Sequence, residues 1–260
     1  MKLATWNVNG IRARLAQVQE WIAQERPDVV CLQEIKATAE QIPTTLFGIE
    51  GYWSHWHGGK GYSGVALHVS QSFAPERPVF AHPAFDYETR VVTAEIGDLL
   101  VASIYVPNGG KDFPAKMQFL EALDAYAASL QGTGRRVALM GDMNVARTER
   151  DVHPRERKPR AIGQLPEERA LIERILSRGL VDLGRAVDPR TTTCSRGGRR
   201  GATCASATSG GASTTCSPAR RWPPASSPAR FRRMWGPAIM RRSLPRLRDS
   251  HDITNAGRDD

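Results

Sequence analysis

Apolar positions along the first 189 residues follow two different periods. KLATW (2–6) predicts a short strand that ends at the turn residues NVNG, and DVVCLQ (28–33) is a continuous apolar, β-branched run. Such a run fits a strand covered on both faces. Between them, residues Ile11 to Gln24 place Leu15, Val18, Trp21 and Ile22 on one helical face, and Pro27 marks the end of that helix. The order strand, helix, strand predicts a parallel pair joined by a right-handed crossover. GYSGVALHVS (61–70), RVVTAEI (90–96) and LLVASIYV (99–106) predict three further strands, spaced as in an antiparallel meander. Lys116 to Leu130 predicts a helix with Phe119, Leu120, Leu123, Tyr126 and Leu130 on its apolar side. RRVALMG (135–141) predicts another buried strand, ending at GDMN. A last helix, EERALIERILSR, starts near Pro166 and stops at Gly179. These elements predict a layered α/β domain with helices outside sheet, spanning residues 1–189.

After Pro189 both periods vanish, and Ser, Thr, Gly, Ala, Pro and Arg dominate. Residues 190–260 thus have the composition of an Arg-rich, low-complexity, disordered tail. Charge divides at the same place. The 260-residue chain carries +9 overall, but residues 190–260 hold 14 of the 36 basic and 4 of the 27 acidic side chains. That leaves 22 basic and 23 acidic groups for residues 1–189, which are nearly neutral. A basic balance ordinarily points to nucleic acid or an acidic membrane surface; here it belongs to the tail alone.

Cys31 lies inside VVCLQ and reads as a small buried thiol. Cys194, Cys204 and Cys216, at spacings of ten and twelve with no CxxC pair, do not fit a zinc site. No apolar run approaches the roughly 18 residues of a membrane span, and MKLATW is not a signal peptide. The expectation is a soluble cytoplasmic monomer without a membrane partner.

Three groups of polar residues stand at the ends of predicted strands: Asn7 in TWNVNG, Glu34 in LQE, and Asp142 with Asn144 in GDMN. A carboxylate after a buried strand, with neutral amide oxygens nearby, makes a sparse hard-oxygen site. Mg²⁺ suits such a site, because it keeps several waters and binds phosphate oxygens as well. Beside a phosphodiester, such an ion polarises the phosphoryl oxygen while a carboxylate takes a proton from attacking water. Each residue also has a plainer reading. Asn7 and Asn9 beside Gly10 suit a turn, Glu34 a helix start, Asp142 a cap, and Tyr105 in SIYVPNG the core.

Taken together, WNVNGIRA, DVVCLQEIK, GYSGVAL, IYVPNG and GDMNVA, in this order and spacing, resemble the exonuclease III/apurinic endonuclease branch of the endonuclease/exonuclease/phosphatase superfamily. The resemblance covers residues 1–189. It implies a four-layer α/β sandwich, two packed mixed β-sheets flanked by helices, here with the C-terminal strands missing or replaced. It also implies hydrolysis of DNA beside abasic sites and at 3′ ends with Mg²⁺, or with Mn²⁺ in its place. By the same resemblance Glu34 is the main metal ligand and Asn7 helps to organise the metal. Tyr105 contacts the reacting phosphate, Asp142 orients or deprotonates the attacking water, and Asn144 sits beside it, the last two also near the metal. Lys60, Arg90, Lys111 and the basic loop HPRERKPR (153–160) are expected to contact the backbone of double-stranded DNA. One departure is ETR (88–90), where relatives more often place Gly before the Arg.

The larger departure is at the end. The family closes with a Trp-containing loop, a Leu-Asp-Tyr strand and a Ser-Asp-His strand end that supplies the catalytic His. None of these is present. Allowed codons for Ser195 to Ser217, read from one base upstream, give FTWWAPWRNMRQRNIGWRLDYVL, which contains the Trp loop and Leu-Asp-Tyr. The same offset lets the codons of Pro237 to Met240 read Ser-Asp-His. A single-base frameshift close to Pro189 or Arg190 accounts for both. It leaves two expectations open: a repair nuclease by descent, or a catalytically dead product that holds nucleic acid non-specifically through its tail.

Overall fold

The computed structural model describes residues 1–42, 49–158 and 160–187 and the backbone of 238–240. A four-stranded sheet contains β1 (Leu3–Asn7), β2 (Val29–Gln33), β3 (Tyr52–His57) and β4 (Val65–Ser70), in the order β1-β2-β4-β3. A six-stranded sheet contains β5 (Val79–Ala81), β6 (Val91–Ile96), β7 (Leu99–Tyr105), β8 (Arg136–Asp142), β9 (Val181–Asp182) and β10 (Ala238–Met240). Its order is β5-β6-β7-β8-β10-β9. Around them lie α1 (Leu15–Glu25), α2 (Phe113–Ser129), α3 (Pro166–Ser177) and the short α4 (Leu183–Val187).

The continuous apolar runs are explained by coverage on both faces. In β2, Val29 and Cys31 point into the layer between the sheets, while Val30 and Leu32 point out toward α1 and its Val18, Trp21 and Ile22. In β8, Ala138 and Met140 face inward, whereas Val137 and Leu139 meet Phe119, Leu120 and Leu123 of α2. The period-2 alternation of a strand therefore fills two cores at once. The result is the expected stack of helix, sheet, sheet and helix. Cys31 is fully buried, and burial raises its thiol to about 12 despite the opposing effect of the neighbouring Ser103 hydroxyl.

Several sequence expectations change. GYSGVALHVS is not the first strand of a meander: only Val65–Ser70 is strand, and it pairs with β2 and β3 in the other sheet. Residues 61–64 form a loop in which Gly61, Ser63 and Gly64 take positive φ. β6 and β7 do form an antiparallel pair, but β7 then runs parallel to β8. The first helix is broken into a 3-10 turn at Ile11–Ala13 and α1 proper. α2 begins three residues earlier than the apolar pattern indicates, because Asp112 caps it by accepting from the Ala115 N–H at 2.9 Å, with Pro114 in the first turn.

Cys194, Cys204, Cys216 and the codon-shifted stretch 195–217 lie outside the described residues. Residues 238–240 depart from the expected strandless tail. Their backbone forms β10, antiparallel to β8 with Ala238 opposite Met140, and antiparallel to β9.

Candidate active site

Two parallel pairs, β1/β2 and β7/β8, are stacked one on the other and end on the same rim. Asn7 closes β1 opposite Gln33, and Tyr105 closes β7 opposite Asp142. Beneath that rim a small polar relay ties the sheets together. Thr5 Oγ1 donates to Gln33 Oε1 at 3.1 Å, Gln33 Nε2 to Ser103 Oγ at 3.1 Å, and Ser103 Oγ to the Leu32 carbonyl at 3.2 Å. All three side chains are buried, so an unmade bond among them would carry a full desolvation cost. Thr5, Gln33 and Ser103 lie one or two residues before Asn7, Glu34 and Tyr105, so the relay fixes the height at which the functional groups emerge.

The backbone at the rim is specialised. Gly141, just before Asp142, has φ 148°, and a Cβ there would lie 1.8 Å from the Ile104 carbonyl oxygen. Only glycine lets β7 and β8 approach this closely, and the close approach sets Tyr105 beside Asp142. Glu34 and Asn144 take positive φ, 53° and 48°, which turns the chain sharply off the ends of β2 and β8.

Four of the five residues expected at the site meet directly through their side chains. The Asn7 amide Nδ2 donates to Glu34 Oε1 at 2.9 Å and to Asp142 Oδ2 at 2.8 Å, so one amide bridges two carboxylates from different sheets. The Tyr105 hydroxyl donates to the same Glu34 Oε1 at 2.8 Å. Asn144 joins through its backbone, its N–H donating to Asp142 Oδ1 at 3.0 Å, while its side-chain amide turns away to the Val106 carbonyl at 2.7 Å.

Their electrostatics differ. Burial pushes Glu34 upward, but hydrogen bonds from Asn7, Lys36 and Tyr105 and the charge of Lys36 outweigh it and leave its carboxyl below the usual range. Asp142 is more deeply buried, and burial, aided by the charge of Glu34, raises it to about 6 against the pull of Asn7, the Asn144 N–H and Lys116. Tyr105 is raised by burial first and then by the Glu34 carboxylate, so its hydroxyl keeps its proton.

Two expected DNA contacts, Lys60 and Lys111, are exposed, as are Arg155, Arg157, Lys158 and Arg160 of the basic loop. Arg90 is placed differently. It is buried, its Nη2 donates to Glu88 Oε2 at 2.8 Å, and its guanidinium lies 4.7 Å from the centre of the Tyr105 ring. It supports Tyr105 from behind rather than facing solvent.

Sequence reasoning missed three contributors. Lys36 Nζ lies 3.0 Å from Glu34 Oε2 and donates to Asn9 Oδ1 at 2.6 Å, fixing the Glu34 loop against the turn after β1. Lys116 and Glu168 form a fully buried ion pair. Lys116 Nζ also donates to the Asn144 carbonyl at 2.7 Å, and Glu168 Oε2 accepts from Gly163 N at 2.6 Å and Leu165 N at 3.0 Å. The pair had a signal, because Lys116 precedes Phe119, Leu120 and Leu123 at helical spacing, and Glu168 does the same before Leu171, Ile172 and Ile175. A charge heading an apolar stripe at each of two helix starts calls for a buried partner.

The donor set on the rim is all oxygen and dominated by a carboxylate, which fits a hard divalent cation. Glu34 Oε2 already faces a positive group, the Lys36 ammonium.

Stacked parallel strand ends, a bridged carboxylate pair and a buried carboxylate tuned to about 6 define a hydrolase built on a four-layer α/β sandwich. Residues 4–235 match the Endonuclease/Exonuclease/phosphatase family, and the chain belongs to it. Exodeoxyribonuclease III of Haemophilus influenzae is 35% identical over 204 residues, covering 73% of this chain and 76% of that protein. DNA repair nuclease APEX1 of Danio rerio is 32% identical over 197 residues, covering 73% of this chain and 63% of that one. Among solved structures, an AP endonuclease from Archaeoglobus fulgidus superposes with a TM-score of 0.69 at 28% identity, over 92% of this chain and 86% of its own. The 3′-5′ exonuclease NExo from Neisseria meningitidis gives 0.67 at 31% identity, over 74% and 77%. The chain is a nuclease of the hydrolase class.

Proposed function

We propose that the chain is a Mg²⁺-dependent DNA repair nuclease that hydrolyses phosphodiesters in duplex DNA at abasic sites and at 3′ ends. The observation that carries this reading is the Asn7 amide bonded at once to Glu34 and Asp142, at 2.9 and 2.8 Å. It joins a metal-type carboxylate to a base-type carboxylate across two sheets. The names of the relatives, exodeoxyribonuclease III, a DNA repair nuclease and an AP endonuclease, support DNA as the substrate.

Glu34 and Asn7 would hold the ion, with Asp142 and Asn144 beside it. When bound, Mg²⁺ supplies a Lewis acid for a phosphoryl oxygen, and Mn²⁺ supplies the same. Asp142, at about 6, is close enough to working pH to take the proton of an attacking water. Asn7 keeps the two carboxylates in register, and Tyr105, still protonated, offers its O–H toward the reacting phosphate. Lys60, Lys111 and the loop 153–160 meet the DNA backbone through positive charge, and Arg90 acts through the Tyr105 ring. In the purified full chain, a duplex with one abasic site should be nicked in Mg²⁺ and left intact in EDTA. Glu34→Ala should lower the rate by about 10²-fold or more. Undiminished cleavage by that variant would remove Glu34 from the metal's coordination.

A further inference from the structure

A second cluster of coordinating side chains lies apart from the Glu34 rim, where β3 of the first sheet meets the segment between β5 and β6 of the second. His57, at the end of β3, is joined by His82 and Asp86. One ligand atom from each lies within 4.8 Å of the other two. His57 Nε2 and Asp86 Oδ2 are 2.5 Å apart, and the His57 and His82 rings pack at a tilt of 32° with centroids 3.7 Å apart.

The surroundings orient these groups as a metal's outer partners orient its ligands. His82 Nδ1 lies 3.1 Å from the Val91 carbonyl, which holds the proton on that nitrogen and leaves the Nε2 lone pair facing the cluster. Asp86 Oδ1 accepts from the backbone N–H groups of Arg90 and Val91, both at 2.8 Å, which leaves Oδ2 directed at His57. His55, two residues before His57 on the same face of β3, places its Nε2 3.1 Å from His82 Nε2, a hydrogen bond that a metal on His82 would displace. Zinc bound at about 2.0–2.1 Å to each ligand holds its ligand atoms roughly 3–3.5 Å apart, so small side-chain rotations separate this cluster from coordination. Two imidazoles and one carboxylate select a borderline ion such as Zn²⁺ over Mg²⁺, which prefers oxygen.

We infer that His57, His82 and Asp86 form a Zn²⁺ site, separate from the Glu34 centre, that clips the edge of the first sheet to the segment leading into β6. Among the described residues β3 is the last strand of the first sheet, and the clip ties its end, through side chains, to the second sheet. Asp86 also anchors the backbone of Arg90, so the clip steadies the group behind Tyr105.

The test uses the full chain stripped of metal and titrated with Zn²⁺ in excess Mg²⁺. It should bind one Zn²⁺ and melt at a higher temperature once loaded. Glu34→Gln and a triple variant with Cys194, Cys204 and Cys216 changed to Ser should keep that binding. His82→Gln, at an exposed position, should melt like the parent without metal yet bind Zn²⁺ about tenfold or more weakly. Co²⁺ substitution of the parent chain should give visible d–d absorption without a near-ultraviolet thiolate band. The site is overturned if the parent binds no Zn²⁺, if His82→Gln binds it as tightly as the parent, or if the Cys variant loses it.

Discussion

Asp142 is buried, and burial raises its carboxyl to about 6, well above the ordinary carboxylate range. A folded value above the unfolded one means the folded chain holds the proton more tightly between roughly pH 4 and 6. For this group, stability of the metal-free protein is therefore present at low pH and is lost as pH rises through about 6. Asp142→Asn removes that loss. Urea melts in EDTA should show the variant gaining about 1–1.5 kcal/mol on the parent between pH 5 and pH 8, while its nuclease activity falls by about 10²–10⁴-fold. A stability difference that stays flat with pH would contradict a folded value near 6. A second residue-scale prediction concerns ETR. Glu88 and Thr89 sit at φ 54° and 57°, and Thr89 is β-branched. Left-handed backbone costs an L-residue about 1–2 kcal/mol, and glycine escapes most of that while losing about 0.5–1 kcal/mol to chain entropy. Thr89→Gly should therefore stabilise the chain by about 0.5–1 kcal/mol in thermal or urea unfolding.

Elements carry the buried Lys116–Glu168 pair, which joins α2, α3 and the loop after β8 that holds Asn144. Lys116→Met leaves Glu168 charged without its partner and should cost about 3–5 kcal/mol in urea unfolding. Adding Glu168→Leu should recover much of that loss, so a double-mutant cycle with independent effects would disprove the coupling. The same scale shows what the sequence could reveal. β1, β2, β6, β7 and β8 were legible because they are buried on both faces, and their apolar runs outlast any local ambiguity. β3 and β5 were not, since neither is buried on both faces. YWSHWH is half-buried throughout and carries two histidines and a serine, and VFA is only three residues long and mostly exposed. The assignment of β4 to the other sheet was equally hidden, because spacing along a chain does not reveal which neighbour a strand chooses. At the site, Asn7, Glu34, Asp142 and Asn144 were readable from strand ends, whereas Tyr105 came only from the family resemblance. Lys36 was passed over because one Lys after a carboxylate resembles a solvated surface pair, and only the turn at Asn9 makes it structural.

At the scale of the whole molecule, the nearly neutral 189 residues carry the site and the Arg-rich remainder carries the charge. β10 gives that division a structural point of contact. Its backbone pairs with β8 so that Ala238 faces Met140, two residues before Asp142. In the offset reading frame, allowed codons for Pro237 to Met240 read Ser-Asp-His, and Ala238–Met240 are the residues that form β10. A frame restored near codon 190 would therefore place Ser-Asp-His on the strand beside β8, with the Ser codon opposite Met140 and the His codon opposite Ala138. One positioned acid–base group contributes typically ~10²–10⁴-fold, so repair of the frame by one base should raise abasic-site nicking by that order. The salt dependence of DNA binding reports on the arginines separately, since each lost phosphate contact lowers the slope by about one. Truncation of the original chain after Pro189 removes the 13 arginines between Arg190 and Arg248 and should flatten that slope without raising the rate. Parallel rate and salt-titration measurements on the original, repaired and truncated chains separate the two effects. A repaired chain no faster than the original would exclude the frameshift as the cause of its missing histidine.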